Sequence, residues 1–324
     1  MKAVVTGGCG LIGAEVVSGL ENLGADILVI DNLRIGAAAQ LPRSDRTRLL
    51  QTDILDVTPR QLRGFEHACW FHLAALPFIP TSFKNPGTFF ETNTLGTSKV
   101  CQIAVETHAS RFVHISTCEV YRASESPLTE DAPVDPLSPY ANSKLFAEIS
   151  VARECGSKLP FVLLRPFNSY GPRMTQPYFI PEMIRQCLVE RRIRVGNLDP
   201  KRDFTFVTDT ARAIILAGSK DTALGETFNI GSGVAVAMRD LLAKIIRLAG
   251  YEDMPVAVDT ERIRPTGRDP MCFVACNQKA KKLLGWQPEV DLDAGLRRTL
   301  KGLADQFGQD ELASAVVLTE TKSF

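Results

Sequence analysis

The chain has 324 residues with 37 basic and 37 acidic side chains and is 45% hydrophobic. Its length suffices for two lobes with separate cores, and its charge balance argues against a nucleic-acid or polyanion binder by bulk electrostatics. Eight cysteines are spread without pattern, and no His or second Cys pair completes a zinc set beside Cys272 and Cys276, so buried free thiols of a reducing compartment are expected.

In chain order, Ala3 to Thr6 is an apolar run, followed by Gly7-Gly8-Cys9-Gly10-Leu11-Ile12-Gly13 and an apolar-periodic helix to about Leu23. Glycines after a strand and before a helix permit a tight turn and bring backbone N–H groups to a pyrophosphate. A second strand, Asp26 to Ile30, ends in Asp31, 18 residues after Gly13, where a ribose-binding carboxylate of a dinucleotide fold belongs. A carboxylate there accepts from a 2′-hydroxyl and repels a 2′-phosphate, which favours NAD over NADP. Arg34 is near enough to oppose that preference, to cover the adenine or to be simply solvated.

Strand-like runs follow at Leu49 to Ile54, Ala68 to Leu73, Phe112 to Ile115 and Phe161 to Leu164, with helical patterns at Thr88 to Thr107 and Tyr140 to Glu154. This alternation predicts an α/β fold: a Rossmann-type doubly wound parallel sheet. Ligands bind beyond the carboxyl ends of such strands, where Asp53, His72, Ser116 to Glu119 and Arg165 to Asn168 lie. Asp53 suits an adenine amino group or a turn cap, and His72 suits a capped core histidine. Tyr140 and Lys144 are four apart on one helix face, so an ammonium can stabilise the phenolate for use as a general base.

Past Gly171-Pro172-Arg173 the pattern changes. Helices are expected at Phe179 to Val189, Asp209 to Ala217, Met238 to Leu248 and Lys279 to Leu284, and short strands at Phe204 to Val207 and Thr227 to Ile230. The residues after Leu312 read as a tail. The expected division is a first domain of residues 1–170, joined again by 208–231, and a smaller α/β C-terminal substrate domain of 171–207 and 232–324. The start, Met1-Lys2 leading into a strand, reads as lacking a signal peptide, and no apolar run reaches membrane-helix length. A soluble cytoplasmic protein is expected, with no membrane or nucleic-acid partner.

These strings together resemble the extended short-chain dehydrogenase/reductases, specifically the nucleotide-sugar epimerases and dehydratases, over roughly residues 1–305. The resemblance rests on TGGCGLIG at 6–13, Asp31-Asn32, Asp53-Ile54, HLAA at 72–75, STCEVY at 116–121, YANSK at 140–144, RPFNSYGPR at 165–173, RDF at 202–204 and RPTG at 264–267. It implies NAD held by Gly7, Gly10, Leu11, Ile12, Gly13, Asp31, Asn32, Asp53, Ile54, Leu73, Ala74, Ala75, Tyr140, Lys144 and Pro166. It also implies a catalytic trio of Thr117, Tyr140 and Lys144, and a UDP- or dTDP-linked sugar gripped by Asn168, Arg202 and one of Arg264 or Arg268. A homodimer through the helices near 88–107 and 140–154 follows by the same resemblance.

Two positions depart from the family pattern: Arg122 replaces the usual glycine, and Cys118 stands where dTDP-glucose 4,6-dehydratases carry Asp. STCEVY is similar to the string of a UDP-N-acetylglucosamine 5,6-dehydratase. Three reactions fit the residues. In a dehydratase, Glu119 removes the C5 proton of a 4-keto sugar, and Cys118 is a candidate acid for the departing hydroxyl or a small filler. A 4-epimerase needs only the trio. A UDP-glucuronate decarboxylase needs a cation near C6, for which Arg173 is the candidate.

Overall fold

The computed structural model describes residues 1–174, 176–264 and 269–307, so Arg268 and the expected tail lie outside the described residues. Strand β1 (Lys2–Thr6) leads through the glycine turn into helix α1 (Leu11–Asn22), and β2 (Asp26–Asp31) and β3 (Thr47–Gln51) follow. β3 ends before the expected Ile54, because Asp53 turns the chain by accepting the amide of Leu55 at 3.0 Å. After β4 (Cys69–His72) come two short helices, α2 (Ile79–Lys84) and α3 (Pro86–Phe89), a π-helical stretch Phe90–Leu95, and α4 (Gly96–Glu106). The wide turn interrupts an expected continuous helix. It seats the buried Asn93, whose side-chain amide donates to Leu76 O at 3.1 Å and Ser143 Oγ at 2.9 Å.

β5 (Arg111–Ile115) is followed by α5 (Pro139–Cys155). Proline at its first position and Ser138 Oγ accepting the Ala141 amide at 3.1 Å start that helix. β6 (Phe161–Pro166) and β7 (Asn168–Tyr170) precede α6 (Phe179–Arg185), which continues as a π-helical turn. Then come β8 (Ile193–Val195), β9 (Lys201–Arg202), β10 (Phe204–Phe206), α7 (Val207–Ser219) and β11 (Thr227–Ile230). β12 (Val236–Ala237), α8 (Met238–Leu248), β13 (Val256–Val258), β14 (Cys272–Phe273) and α9 (Leu292–Gln306) complete the order. The helix expected at 279–284 closes as a π-helical turn, Ala280–Leu284.

Seven parallel strands form the central sheet in the order β11-β6-β5-β4-β1-β2-β3. Successive side chains on each strand point to opposite faces. Val5, Val29, Phe71, Val113 and Leu164 meet Val16, Val17 and Leu20 of α1 and Ile214 of α7 on one face. Val4, Leu28, Trp70 and Phe112 meet Val100 and Ala104 of α4 and Val151 of α5 on the other. This double cover makes the strands near-continuous apolar runs. A second core gathers α6, α8 and α9 around Met183, Leu241, Ile245 and Leu300. Strand order reverses between β4 and β1, which opens a crevice at the carboxyl ends of the strands. The eight cysteines are unpaired thiols. No helix among the described residues is long and apolar enough to cross a membrane.

Candidate active site

The crevice is the mouth of a cavity of about 760 Å³ that runs from the glycine turn to the loops around β9 and Arg264. At one end Gly7 has φ +71, and a Cβ there would stand 2.6 Å from Ala74 N; a Cβ on Gly13 would stand 2.1 Å from Gly7 O. The backbones therefore meet too closely for any side chain. Gly10 caps α1 without a side-chain bond, so the first-turn amides of α1 keep no capping acceptor. Asp31 accepts Cys9 N at 2.9 Å on one carboxylate oxygen and Leu33 N at 2.8 Å on the other. Asn32 Nδ2 donates to Asp53 Oδ2 at 2.8 Å. Leu11, Ile12, Ile54, Leu73, Ala74, Ala75 and Pro166 complete this apolar slot beside the open amides, which suits a dinucleotide. Arg34 is exposed and also lines it.

The register of the central strands sets Thr6, His72 and His114 side by side. His72 is a core histidine, with Nδ1 2.6 Å from Thr6 Oγ1 and Nε2 2.9 Å from Thr97 Oγ1. Burial, reinforced by the Lys144 charge, pushes it down to about 3, so the ring is neutral.

Beyond β5, Thr117 Oγ1 accepts the Glu119 amide at 3.2 Å and caps a short 3-10 turn, Cys118–Val120. That turn aims Glu119 into the cavity; Cys118 also lines it and packs with Val120, Phe167 and Phe273. Burial, with the Glu119 charge beside it, pushes the Cys118 thiol well up. It stays protonated and is a weak acid, as a packing residue is. Tyr140 and Lys144 come from α5 and both line the cavity. Burial pushes the Tyr140 phenol up, a hydrogen bond with Thr117 opposes this, and the Glu119 charge adds to it. Lys144 Nζ donates to Ile115 O at 2.6 Å and lies 3.5 Å from His114 Nε2. The expected direct support of the phenol by this ammonium gives way to burial, which also pulls Lys144 itself down to about 8.

At the far end Asn168 Nδ2 donates to Asp203 O at 3.0 Å, Arg202 lies 3.3 Å from Asp269, and Arg264 lies 3.5 Å from Glu119. Arg173 does not join them. It pairs with Glu15 of α1, away from the cavity lining, so the cation expected near a sugar C6 is spent on holding the loop to α1.

A family model for GDP-mannose 4,6 dehydratase matches residues 4–299. The chain belongs to this family. Its members are NAD-dependent nucleotide-sugar epimerases and dehydratases of the short-chain dehydrogenase/reductase type, and the chain is such an enzyme, with NAD as its cofactor. It is 31% identical to dTDP-glucose 4,6-dehydratase 1 of Escherichia coli over 93% of this chain and 92% of the relative. It is 30% identical to the UDP-glucose 4-epimerase of Mycolicibacterium smegmatis over 93% of this chain and 98% of the relative. The DesIV dTDP-glucose 4,6-dehydratase of Streptomyces venezuelae, solved with NAD bound, superposes with a TM-score of 0.88 at 30% identity, over 96% of this chain and all of that one.

Within this epimerase/dehydratase frame, several site residues escaped the sequence reading. Arg165, expected at the ligand end of β6, instead clamps Glu148 of α5 at 2.6 and 2.9 Å and Tyr121 Oη at 2.8 Å. Tyr178 and Phe78 line the cavity and meet edge to face, with ring centroids 5.4 Å apart. Arg262 also lines it, bound to Glu182 at 2.9 Å. Tyr178 sits in a Pro-Tyr-Phe string that a core helix start explains equally well, so only the fold reveals where its ring goes.

Proposed function

We propose that this enzyme is a nucleotide-sugar dehydratase that works through a 4-keto intermediate on a UDP- or dTDP-linked hexose. The observation that carries this is Glu119: a carboxylate only 9% exposed, in the cavity wall two residues from Thr117 and close enough to Tyr140 for its charge to act on the phenol. A carboxylate in so enclosed a place costs desolvation energy, which a catalytic task explains.

Gly7, Gly10, Gly13 and the α1 amides would hold the NAD pyrophosphate, Asp31 the adenosine ribose, Asn32, Asp53 and Ile54 the adenine end, and Leu73 to Ala75 and Pro166 the remainder. NAD supplies a hydride acceptor for sugar C4 and later a hydride donor. Tyr140 takes the O4 proton, with Thr117 hydrogen-bonding the same oxygen. Lys144 would orient the nicotinamide ribose. The resulting ketone acidifies C5; Glu119 removes that proton and passes it to the C6 hydroxyl, which leaves as water. The hydride that NAD would hold gives a 4-keto-6-deoxy sugar if returned to C6 and a 5,6-alkene if returned to C4. Asn168, Arg202 and Arg264 would grip the diphosphate, with residues 171–207 and 232–307 as the nucleotide-sugar part of the chain.

One observation favours the 4-epimerase as a second reading. Arg264 pairs with Glu119, and a carboxylate held in an ion pair has an explanation without catalysis. Decarboxylation loses its suggested cation, since Arg173 is tied to Glu15. Incubation of the enzyme with UDP- and dTDP-hexoses, followed by product NMR in deuterium oxide, tests the choice. Loss of the C6 hydroxyl is expected, with deuterium at C5 if hydride returns to C6 and no carbon-bound deuterium in a 5,6-alkene. A C4 epimer free of carbon-bound deuterium would replace the dehydratase with the epimerase.

We also propose a homodimer through α4 and α5. Leu95, which ends the π-helical stretch leading into α4, is 60% exposed, Phe146 and Ile149 of α5 are 48% and 55% exposed, and Phe90 of that stretch meets Phe146 at 5.9 Å. Such apolar exposure on neighbouring helices supports a helix-to-helix interface. Sedimentation should report a dimer, and Ile149→Glu should shift it toward monomer.

A further inference from the structure

The cavity holds a second tyrosine. Tyr178 caps the start of α6, accepts the Glu182 amide at 3.0 Å through its carbonyl, and turns its ring edge to face against Phe78 from the loop after β4. The two rings thus meet across the cavity, one from each side, and both line it. Tyr178 is half-buried, and the cavity is where it lies open. No hydrogen bond of its hydroxyl is formed with the described residues, although its neighbours are ordered by several. Phe78 directly precedes Ile79, which packs against Tyr140, so the Tyr178 ring stands on the Tyr140 side of the cavity, a wall that Glu119 also lines. Burial comes first and the charges of Tyr140 and Glu119 second in pushing its proton affinity up, so it is a neutral donor throughout the working pH range.

We infer that Tyr178 is a specificity-determining residue that donates a hydrogen bond to the neutral C6 hydroxyl of the sugar. This rests on the reading of Glu119 as the group at C5. A phenol on the wall that the O4 base and the C5 base share lies at the C4–C5–C6 edge of a ring, where the exocyclic C6 group projects. The chemistry around it suits a hydroxymethyl group better than a carboxylate. Phe78 is apolar, Glu119 is anionic, and the Arg264 guanidinium is already matched by Glu119 at 3.5 Å and Asp269 at 3.8 Å. A neutral donor beside an anion accepts a hydroxyl and disfavours a second negative charge.

The test is a binding cycle on the NAD-loaded enzyme carrying Tyr140→Phe in every arm, so that no sugar turns over. UDP-glucose and UDP-6-deoxyglucose are titrated into proteins with Tyr178 or Tyr178→Phe, and the corresponding dTDP pair is run in parallel. With Tyr178 present, the 6-hydroxy sugar should bind about 3- to 10-fold more tightly than the 6-deoxy sugar, the worth of one neutral hydrogen bond. Tyr178→Phe, which keeps the ring against Phe78, should abolish that preference and leave the 6-deoxy sugar within about twofold. UDP-glucuronate should bind about tenfold or more weakly than UDP-glucose. Equal losses for both neutral sugars, no loss for either, or tighter binding of the glucuronate would overturn the inference. Failure of the dehydratase reading shows elsewhere, as a C4 epimer from the wild-type enzyme, and leaves this cycle readable.

Discussion

The Glu119 carboxylate and the Arg264 guanidinium lie 3.5 Å apart, joining the turn after β5 to a loop 145 positions further along the chain. Arg264 also lies 3.8 Å from Asp269, which in turn lies 3.3 Å from Arg202. Acids and bases alternate along this wall, so each charge is matched before a substrate arrives. A diphosphate must compete with Glu119 and Asp269 for the guanidinium groups. Arg264→Gln is therefore expected to weaken nucleotide-sugar binding by about 10- to 100-fold, the worth of a charged hydrogen bond. Unchanged affinity for UDP and for dTDP would show that Arg264 serves Glu119 alone.

Glu119→Gln keeps shape and hydrogen bonding but cannot accept a proton. The variant should still oxidise C4, visible as NADH absorbance on adding substrate, while water loss falls by about 10²- to 10⁴-fold. Normal turnover would make the 4-epimerase the better account.

Tyr140→Phe removes one oxygen from a ring packed on Phe89 and Ile79. Thermal stability should change little, while C4 oxidation drops by about 10²- to 10⁴-fold. Near wild-type NADH formation would remove Tyr140 from the chemistry.

Lys144, pulled down to about 8 by burial, loses its positive charge above that pH. The ammonium that would orient the nicotinamide ribose is then lost, so kcat/KM should fall as pH rises through about 8. Lys144→Arg, always charged, should keep the plateau to higher pH. The stability sign is opposite. Below about 8 the fold carries the full cost of burying the ammonium, and that cost is relieved between about 8 and the unfolded-state value of 10.5. A flat kcat/KM profile from pH 7 to 10 would exclude the lysine.

His72 and His114 are buried and neutral; burial holds the first at about 3 and the second well below its usual 6.5. The unfolded chain protonates first, so stability is lost as pH falls from about 6.5 toward 3. Each ring contributes up to about 1.4 kcal/mol per pH unit in that window. Urea titrations between pH 4 and 7 should show this slope, and His72→Gln should flatten it.

What was legible in the sequence was local. Gly7, Gly10 and Gly13 stand at fixed offsets from a strand, Asp31 closes the next one, and Tyr140 and Lys144 share a helix face, so spacing alone locates all of them. Asp53 was legible as an acid past a strand, but its role in ending β3 three residues early was not. The pairings that tune the site join distant segments. Arg264 meets Glu119, Arg173 meets Glu15, and Lys144 turns to the Ile115 carbonyl. A cationic side chain shows its charge in the sequence, whereas its partner is chosen by packing. The Phe90–Leu95 π-helix was hidden for the same reason, since only the burial of Asn93 against Leu76 and Ser143 calls for the wide turn.

Helix α5 carries Tyr140, Lys144 and Glu148 at successive turns, fixed at its start by Ser138 and further along by the Arg165 clamp. It acts as a ruler for the site. Added length at the exposed residues 125–127 of the preceding segment leaves the ruler's marks unchanged. One residue inserted between Tyr140 and Lys144 would rotate everything beyond it by about 100°. Lys144 would swing off the cavity wall and Glu148 away from Arg165. Insertions should therefore be tolerated at 125–127 and lethal to activity for the ten residues after Ser138, a contrast that an insertion scan would draw.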